Sequence, residues 1–170
     1  VGPLMAVEHR LYLDTNALIL LNEGEGQARD LLQQIVTLAA SKPTPMLATS
    51  ALTLSELLVK PYRDRQMQLI DAYRAWFAGL EWLEILPISM EVLDLAALLR
   101  ATRPAVKLPD AIQLASAIIA GATCFVSADH GITTVDAVDH PILGRRLTSN
   151  LPIIRPDEHA LTALLESLSS

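Results

Sequence analysis

This 170-residue sequence is poor in the groups that staple or anchor a chain from outside its core. Its single cysteine, Cys124, excludes an internal disulfide and a cysteine-built zinc site, so the fold must stand on apolar packing, as cytosolic domains do. No unbroken apolar run has membrane length. The longest uncharged stretch, between Asp110 and Asp129, is interrupted by Gln113, Ser116, Gly121, Thr123 and Ser127, whereas a bilayer span wants roughly 20 predominantly apolar residues. Positive charge is scarce as well. Thirteen basic against 19 acidic residues give a net charge of -6, which argues against holding nucleic acid by bulk attraction but leaves room for a local basic track. Hydrophobic residues, by contrast, make up 51% of the chain. That excludes overall disorder and supplies one core, so a single domain is expected over 1–170, in a cytoplasmic protein. The opening Val1-Gly2-Pro3-Leu4-Met5 lacks the basic and apolar regions of a signal peptide and reads as a tag remnant.

Apolar periodicity predicts strands alternating with helices. Residues 10–13 read as a strand ending at Asp14, followed by a turn and then a Leu- and Ala-rich helix after Gly24 and Gly26. A second strand at 46–49 leads into a helix capped by Thr49 or Ser50 and stopped at Pro61. A helix over 64–80, a strand at 83–86, a helix over 90–101 capped by Ser89, a helix opened by Leu108-Pro109-Asp110 and a strand at 123–126 follow. Residues 131–150 carry no period; Pro152-Ile153-Ile154 is a candidate fifth strand before a terminal helix at 157–168. Such alternation implies a parallel sheet of four to five strands covered on both faces, a three-layer α/β/α sandwich.

In an open parallel sheet, ligands bind beyond the carboxyl ends of the strands. Asp14 directly follows the first strand, and Asp129 lies just past the fourth. Glu56 sits in the helix after the second strand, within the otherwise uncharged ALTLSELLV, and Asp110 opens the helix before the fourth. Taken singly these have ordinary readings: Asp110 suits a helix dipole, and Asp14 suits a turn or an N-cap. As a set they point to a cation, because converging carboxylates repel one another unless something neutralises them. A hard, water-accessible oxygen site suits Mg²⁺ or Mn²⁺, which can drive phosphodiester hydrolysis without a nucleophilic side chain.

LDTN at 13–16, Ser55-Glu56, LPDAIQLASA at 108–117 and FVSAD at 125–129 together resemble the PIN-domain ribonucleases, especially the toxins of VapBC-type toxin-antitoxin pairs. The likeness covers roughly residues 10–130. It implies a metal-binding quartet of Asp14, Glu56, Asp110 and Asp129, with Asn16 and Ser127 as supporting polar groups. It also implies RNA hydrolysis leaving 5′-phosphate and 3′-hydroxyl ends, an antitoxin partner and a homodimer. The sequence departs from the family around its last acid, with Ala128 where Asn is usual and His130-Gly131 where a charged residue and an aromatic are usual.

RNA contact would have to come from short basic clusters, namely Lys60, Arg63 and Arg65 after the Glu56 helix and Arg100, Arg103 and Lys107 before Asp110. Each alone is an ordinary solvated charge. Five of the seven aromatics fall between residues 62 and 82. Tyr73, Trp76 and Phe77 share a helical stripe that fits either core packing or an antitoxin-binding surface. The four histidines show no metal-ligand spacing. Two other readings compete with a metal-dependent endoribonuclease. One is a PIN-like binding module with weak chemistry, which the changes around Asp129 suggest. The other is a phosphoacceptor domain, disfavoured because the third strand ends in Leu86-Pro87-Ile88 rather than Asp.

Overall fold

A computed structural model of the chain describes residues 9–147 and 149–169; the Val1–Met5 segment read as a tag remnant lies outside them. Five strands, β1 (Leu11–Leu13), β2 (Leu47–Ser50), β3 (Leu83–Leu86), β4 (Cys124–Val126) and β7 (Ile153–Ile154), form one sheet in the order β3-β2-β1-β4-β7. Every pairing is parallel, with Leu11 opposite both Leu47 and Cys124, and Val126 opposite Ile154. The expected three-layer α/β/α sandwich is therefore present.

Strand alternation divides the core in two. Leu11, Leu13, Cys124 and Val126 point to the face covered by α1 (Thr15–Glu23), α2 (Gln27–Ala40), α3 (Ala51–Arg63), α4 (Met67–Phe77) and α7 (Glu158–Ser169). Tyr12 and Phe125 point to the opposite face, stacked with ring centroids 4.9 Å apart under α5 (Met90–Thr102) and α6 (Leu108–Ile119). Ser50 and Ser89 cap α3 and α5 by accepting from the Leu52 and Val92 amides, both at 3.2 Å. Among the described residues no helix is long and apolar enough to cross a membrane.

Four expectations need correction. Residues 15–23 are not a turn but the helix α1, started by the Asp14 cap. The helix α3 does not stop at Pro61; it runs on to Arg63 with the proline ring buried. Proline there forfeits only its own amide bond, and the Asp64 amide still reaches the Lys60 carbonyl at 2.9 Å. The next helix begins at Met67 rather than at 64, because Arg65 takes the left-handed conformation (φ 55°) that breaks the chain direction. Finally, the stretch without sequence period holds an antiparallel hairpin of β5 (Val138–His140) and β6 (Gly144–Leu147), and a bridge between Val135 and Leu151.

Candidate active site

The strand order reverses at β1. The chain builds β2 and β3 to one side of it and then places β4 on the other, so the carboxyl ends of β1 and β4 flank a switch point. Asp14 and the 127–132 loop leave those two ends. Here a cleft of about 170 Å³ is lined by Asp14, Thr15, Asn16, Glu56, Asp110, Gln113, Asp129 and Ile132. All four acids singled out in the sequence, from four separate elements, thus share one cavity with Asn16.

Asp14 is almost fully buried. Its Oδ1 accepts the Ala17 amide at 3.0 Å, and its Oδ2 accepts the Ser127 hydroxyl. The same Ser127 oxygen accepts the Asp129 amide at 3.0 Å, so one buried hydroxyl joins both strand-end acids. The Asp129 side chain in turn accepts the Gly131 amide at 2.7 Å. Glycine suits that approach: a Cβ at 131 would come within 3.1 Å of the Asp129 carboxylate oxygen.

Glu56 is held by two residues that sequence reasoning missed. Gln113 Nε2 donates to Glu56 Oε2 at 2.7 Å, and the Thr15 hydroxyl donates to the same oxygen. Gln113 is itself buried and gathers Thr53 and the Tyr12 hydroxyl, the latter donating to its Oε1. The available signal was a lone amide in a mostly apolar helix, three residues beyond Asp110 and hence on the same face. Ile132, the third residue missed, adds an apolar wall.

The other predicted residues fall outside this cavity. Lys60, Arg63, Arg65 and Arg100 are exposed. Lys107 is close enough to Asp110 to favour its charged form. Arg103 donates to the Thr134 carbonyl at 3.3 Å. Tyr73 is a core residue: it is fully buried, its hydroxyl donates to Glu23, and its ring meets Trp76 edge-on at 5.7 Å. Trp76 and Phe77 are half-buried against the same core.

Burial pushes the Asp14 carboxyl up to about 6, against hydrogen bonds from Ser127 and the Ala17 and Asn16 amides, and the charge on Glu56 raises it further. Asp110 is raised by burial first, then by Asp129 and Glu56. Among the described residues no basic side chain lines the cleft. Such a donor set, all oxygen and short of positive charge, fits a hard divalent cation. Among the described residues no group of three acidic, histidine or cysteine side chains is placed, as the side chains stand, to hold a metal ion. This spread suits an ion that keeps several waters better than an all-protein cage.

The PIN domain family model matches residues 11–138. No curated protein matches the chain. Among solved structures, a toxin-antitoxin complex from Klebsiella pneumoniae is 28% identical, with a TM-score of 0.50 over 70% of this chain and 86% of that one. VapBC2 from Rickettsia felis, bound to a DNA fragment from their promoter, is 21% identical with a TM-score of 0.55, covering 70% of this chain and 87% of its own. VapC20 from Mycobacterium tuberculosis, titled a sarcin-ricin loop cleaving toxin, is 19% identical with a TM-score of 0.53, covering 68% and 86%. The last two are likenesses of fold.

Proposed function

The chain belongs to the PIN-domain family, and on that premise we propose that it is a Mg²⁺- or Mn²⁺-dependent endoribonuclease serving as the toxin of a toxin-antitoxin pair. The observation that carries this reading is the meeting of Asp14, Glu56, Asp110 and Asp129 in one cleft at the sheet's switch point. A toxin-antitoxin complex and a toxin named as cleaving the sarcin-ricin loop, both among its fold relatives, support the same reading.

Asp14, Asp110 and Asp129 would hold the cation, with Glu56 at its edge. When bound, such an ion lowers the pKa of a water and neutralises charge on the scissile phosphate. The protein's own part is positional. Gln113 and Thr15 occupy Oε2 of Glu56, which leaves Oε1 to orient the attacking water and take its proton. Ser127 fixes Asp14 Oδ2 and the Asp129 backbone together. Asn16 offers an amide to the phosphate or to a neighbouring carboxylate. Water attacks phosphorus as Glu56 takes its proton, the P–O3′ bond breaks, and the 3′ oxygen takes a proton from solvent, leaving a 3′-hydroxyl and a 5′-phosphate.

An antitoxin would cover Trp76 and Phe77 rather than buried Tyr73. A cytoplasmic homodimer, with the exposed Lys60, Arg63, Arg65, Arg100 and Lys107 carrying RNA phosphates, completes the proposal. Cleavage mapping on total RNA, wild type against Asp14→Asn, tests it. Discrete cuts with 5′-phosphate ends, lost in the variant, are expected; cutting retained by a contaminant-free variant defeats the assignment. The rival reading, a binding module with weak chemistry, predicts no Mn²⁺ binding in a titration.

A further inference from the structure

We propose that Arg155 is a positioning residue that sets the place of Asp129, an inference that rests on the nuclease reading above. Arg155 follows β7 immediately and lies beyond the segment matched by the family model, which ends at residue 138. Its guanidinium spends its donors on main-chain oxygens. Nη1 donates to the Ser127 carbonyl at 3.0 Å and to the Asp129 carbonyl at 2.6 Å, and Nη2 donates to the Ile132 carbonyl at 2.7 Å. Three carbonyls of one short loop therefore converge on a single planar cation.

That loop has little else to fix it. It departs from β4 after the Ser127 amide bonds the Ile154 carbonyl at 3.0 Å. At its two ends the Ser127 hydroxyl donates to Asp14 and Ile132 is buried in the core; between them the ties are internal: Asp129 amide to Ser127 hydroxyl, Gly131 amide to Asp129 carboxylate, and Ile132 amide to Asp129 carbonyl at 3.1 Å. Without an external clamp, three carbonyls would point together with only mutual repulsion between them. A guanidinium is the side chain suited to this task, since its fork of fixed N–H directions can serve several acceptors at once and stays charged.

The choice of acceptors matters as much as the clamp. Arg155 bonds backbone oxygens and forms none of the ion pairs found among the described residues. The Asp129 carboxylate thus keeps its charge for a cation while its backbone is immobilised. This supplies a physical substitute for what the loop lacks at Ala128 and Gly131, where side chains that could brace it are absent. The short strand β7 has a purpose in the same scheme: pairing Val126 with Ile154 brings Arg155 alongside the loop.

The test compares the full-length chain with Arg155→Lys and Arg155→Gln, using Asp129→Asn as a reference. Lysine retains the charge but not the fork, so both variants should lose the clamp. Hydrogen exchange at the Asp129, Gly131 and Ile132 amides should quicken at least tenfold in both. Mn²⁺ titration should show about tenfold weaker binding, with kcat reduced and KM for RNA unchanged. Unaltered loop exchange in both variants overturns the clamp, as does faster exchange with unchanged Mn²⁺ affinity, which would leave Arg155 a purely structural brace. A raised KM with unchanged Mn²⁺ affinity also overturns it, by assigning Arg155 to phosphate contact. Failure of the nuclease reading looks different: wild type and Asp129→Asn would then be alike in binding no Mn²⁺. If Arg155→Gln does not fold, Arg155→Lys alone decides by the same readouts.

Discussion

Asp14 meets two demands that conflict. As the N-cap of α1 it needs only a side-chain oxygen, which asparagine supplies equally well. As a buried acid beside Glu56 it is charged at a cost, seen in a carboxyl pushed up to about 6 from an ordinary 3.8. A raised acid binds more protons folded than unfolded, so its contribution to stability is full below about pH 3.8 and is lost as pH rises through about 6. Metal-free protein should therefore lose stability over that window. Asp14→Asn should flatten the profile and stabilise the fold at pH 7 by up to about 3 kcal/mol, while abolishing RNA cleavage. Melts in chelator between pH 4 and 8 check the first part, and a variant less stable than wild type at pH 7 refutes it. Gly131 offers a finer probe. Alanine there presses on the Asp129 carboxylate from 3.1 Å, so Gly131→Ala should lower kcat several-fold with a melting temperature within about 2 °C of wild type. An unchanged kcat means the carboxylate has slack that the geometry does not suggest.

At the scale of elements, Gln113 ties α6 to α3 and β1 through Glu56, Thr53 and Tyr12. Gln113→Leu leaves the buried Tyr12 hydroxyl without its acceptor, at about 2–3 kcal/mol, and leaves Glu56 held by Thr15 alone. Chemical denaturation and single-turnover cleavage should both register the change. The hairpin is the contrasting case. His140 Nδ1 accepts the Ile142 and Leu143 amides at 3.1 and 3.0 Å, so the ring proton sits on Nε2 and is donated to Asp94 on α5. Removing it in His140→Ala should open residues 141–146 to protease nicking yet leave cleavage within about twofold, since no hairpin residue lines the cleft. These elements also mark the limit of what was legible in the sequence. The four main strands, the Ser89 cap and the meeting of four acids at one sheet edge were readable because period, breakers and strand-end position all agreed, while the cap of α3 was narrowed only to Thr49 or Ser50. The α1 helix was not, since TNALILLNE follows Asp14 without an interval and its cap residue read equally well as a turn. The hairpin was hidden because scattered Gly, Asp and Pro residues carry no alternation, and its hold on α5 comes from the His140–Asp94 hydrogen bond and the Arg146–Glu91 ion pair, which no local pattern announces. Gln113 and Arg155 escaped notice for a related reason: each acts through contacts far away in sequence.

For the whole molecule the difficulty is charge. A protein of net charge -6 must admit a polyanion to a cleft that is itself acidic. Four of its acids line that cleft, and roughly two bound divalent ions would cancel four charges, leaving a balance of about -2. The remaining attraction has to come from a few exposed cations, with Arg103 partly engaged by the Thr134 carbonyl. Counterion release then sets a ceiling: neutralising at most six phosphates on single-stranded RNA gives a slope of log K against log salt no steeper than about -4. Binding of an RNA oligonucleotide to a Glu56→Gln chain, which keeps the three aspartates and loses the proton acceptor, should accordingly show a salt slope within that ceiling in Mn²⁺. In chelator it should be lost, since the acidic cleft then repels the strand. Fluorescence anisotropy across a salt series in both conditions measures this. A slope well beyond the ceiling, or binding indifferent to chelator, means that RNA is held by a basic surface remote from the cleft, and the acids at the switch point are not what brings the strand to the site.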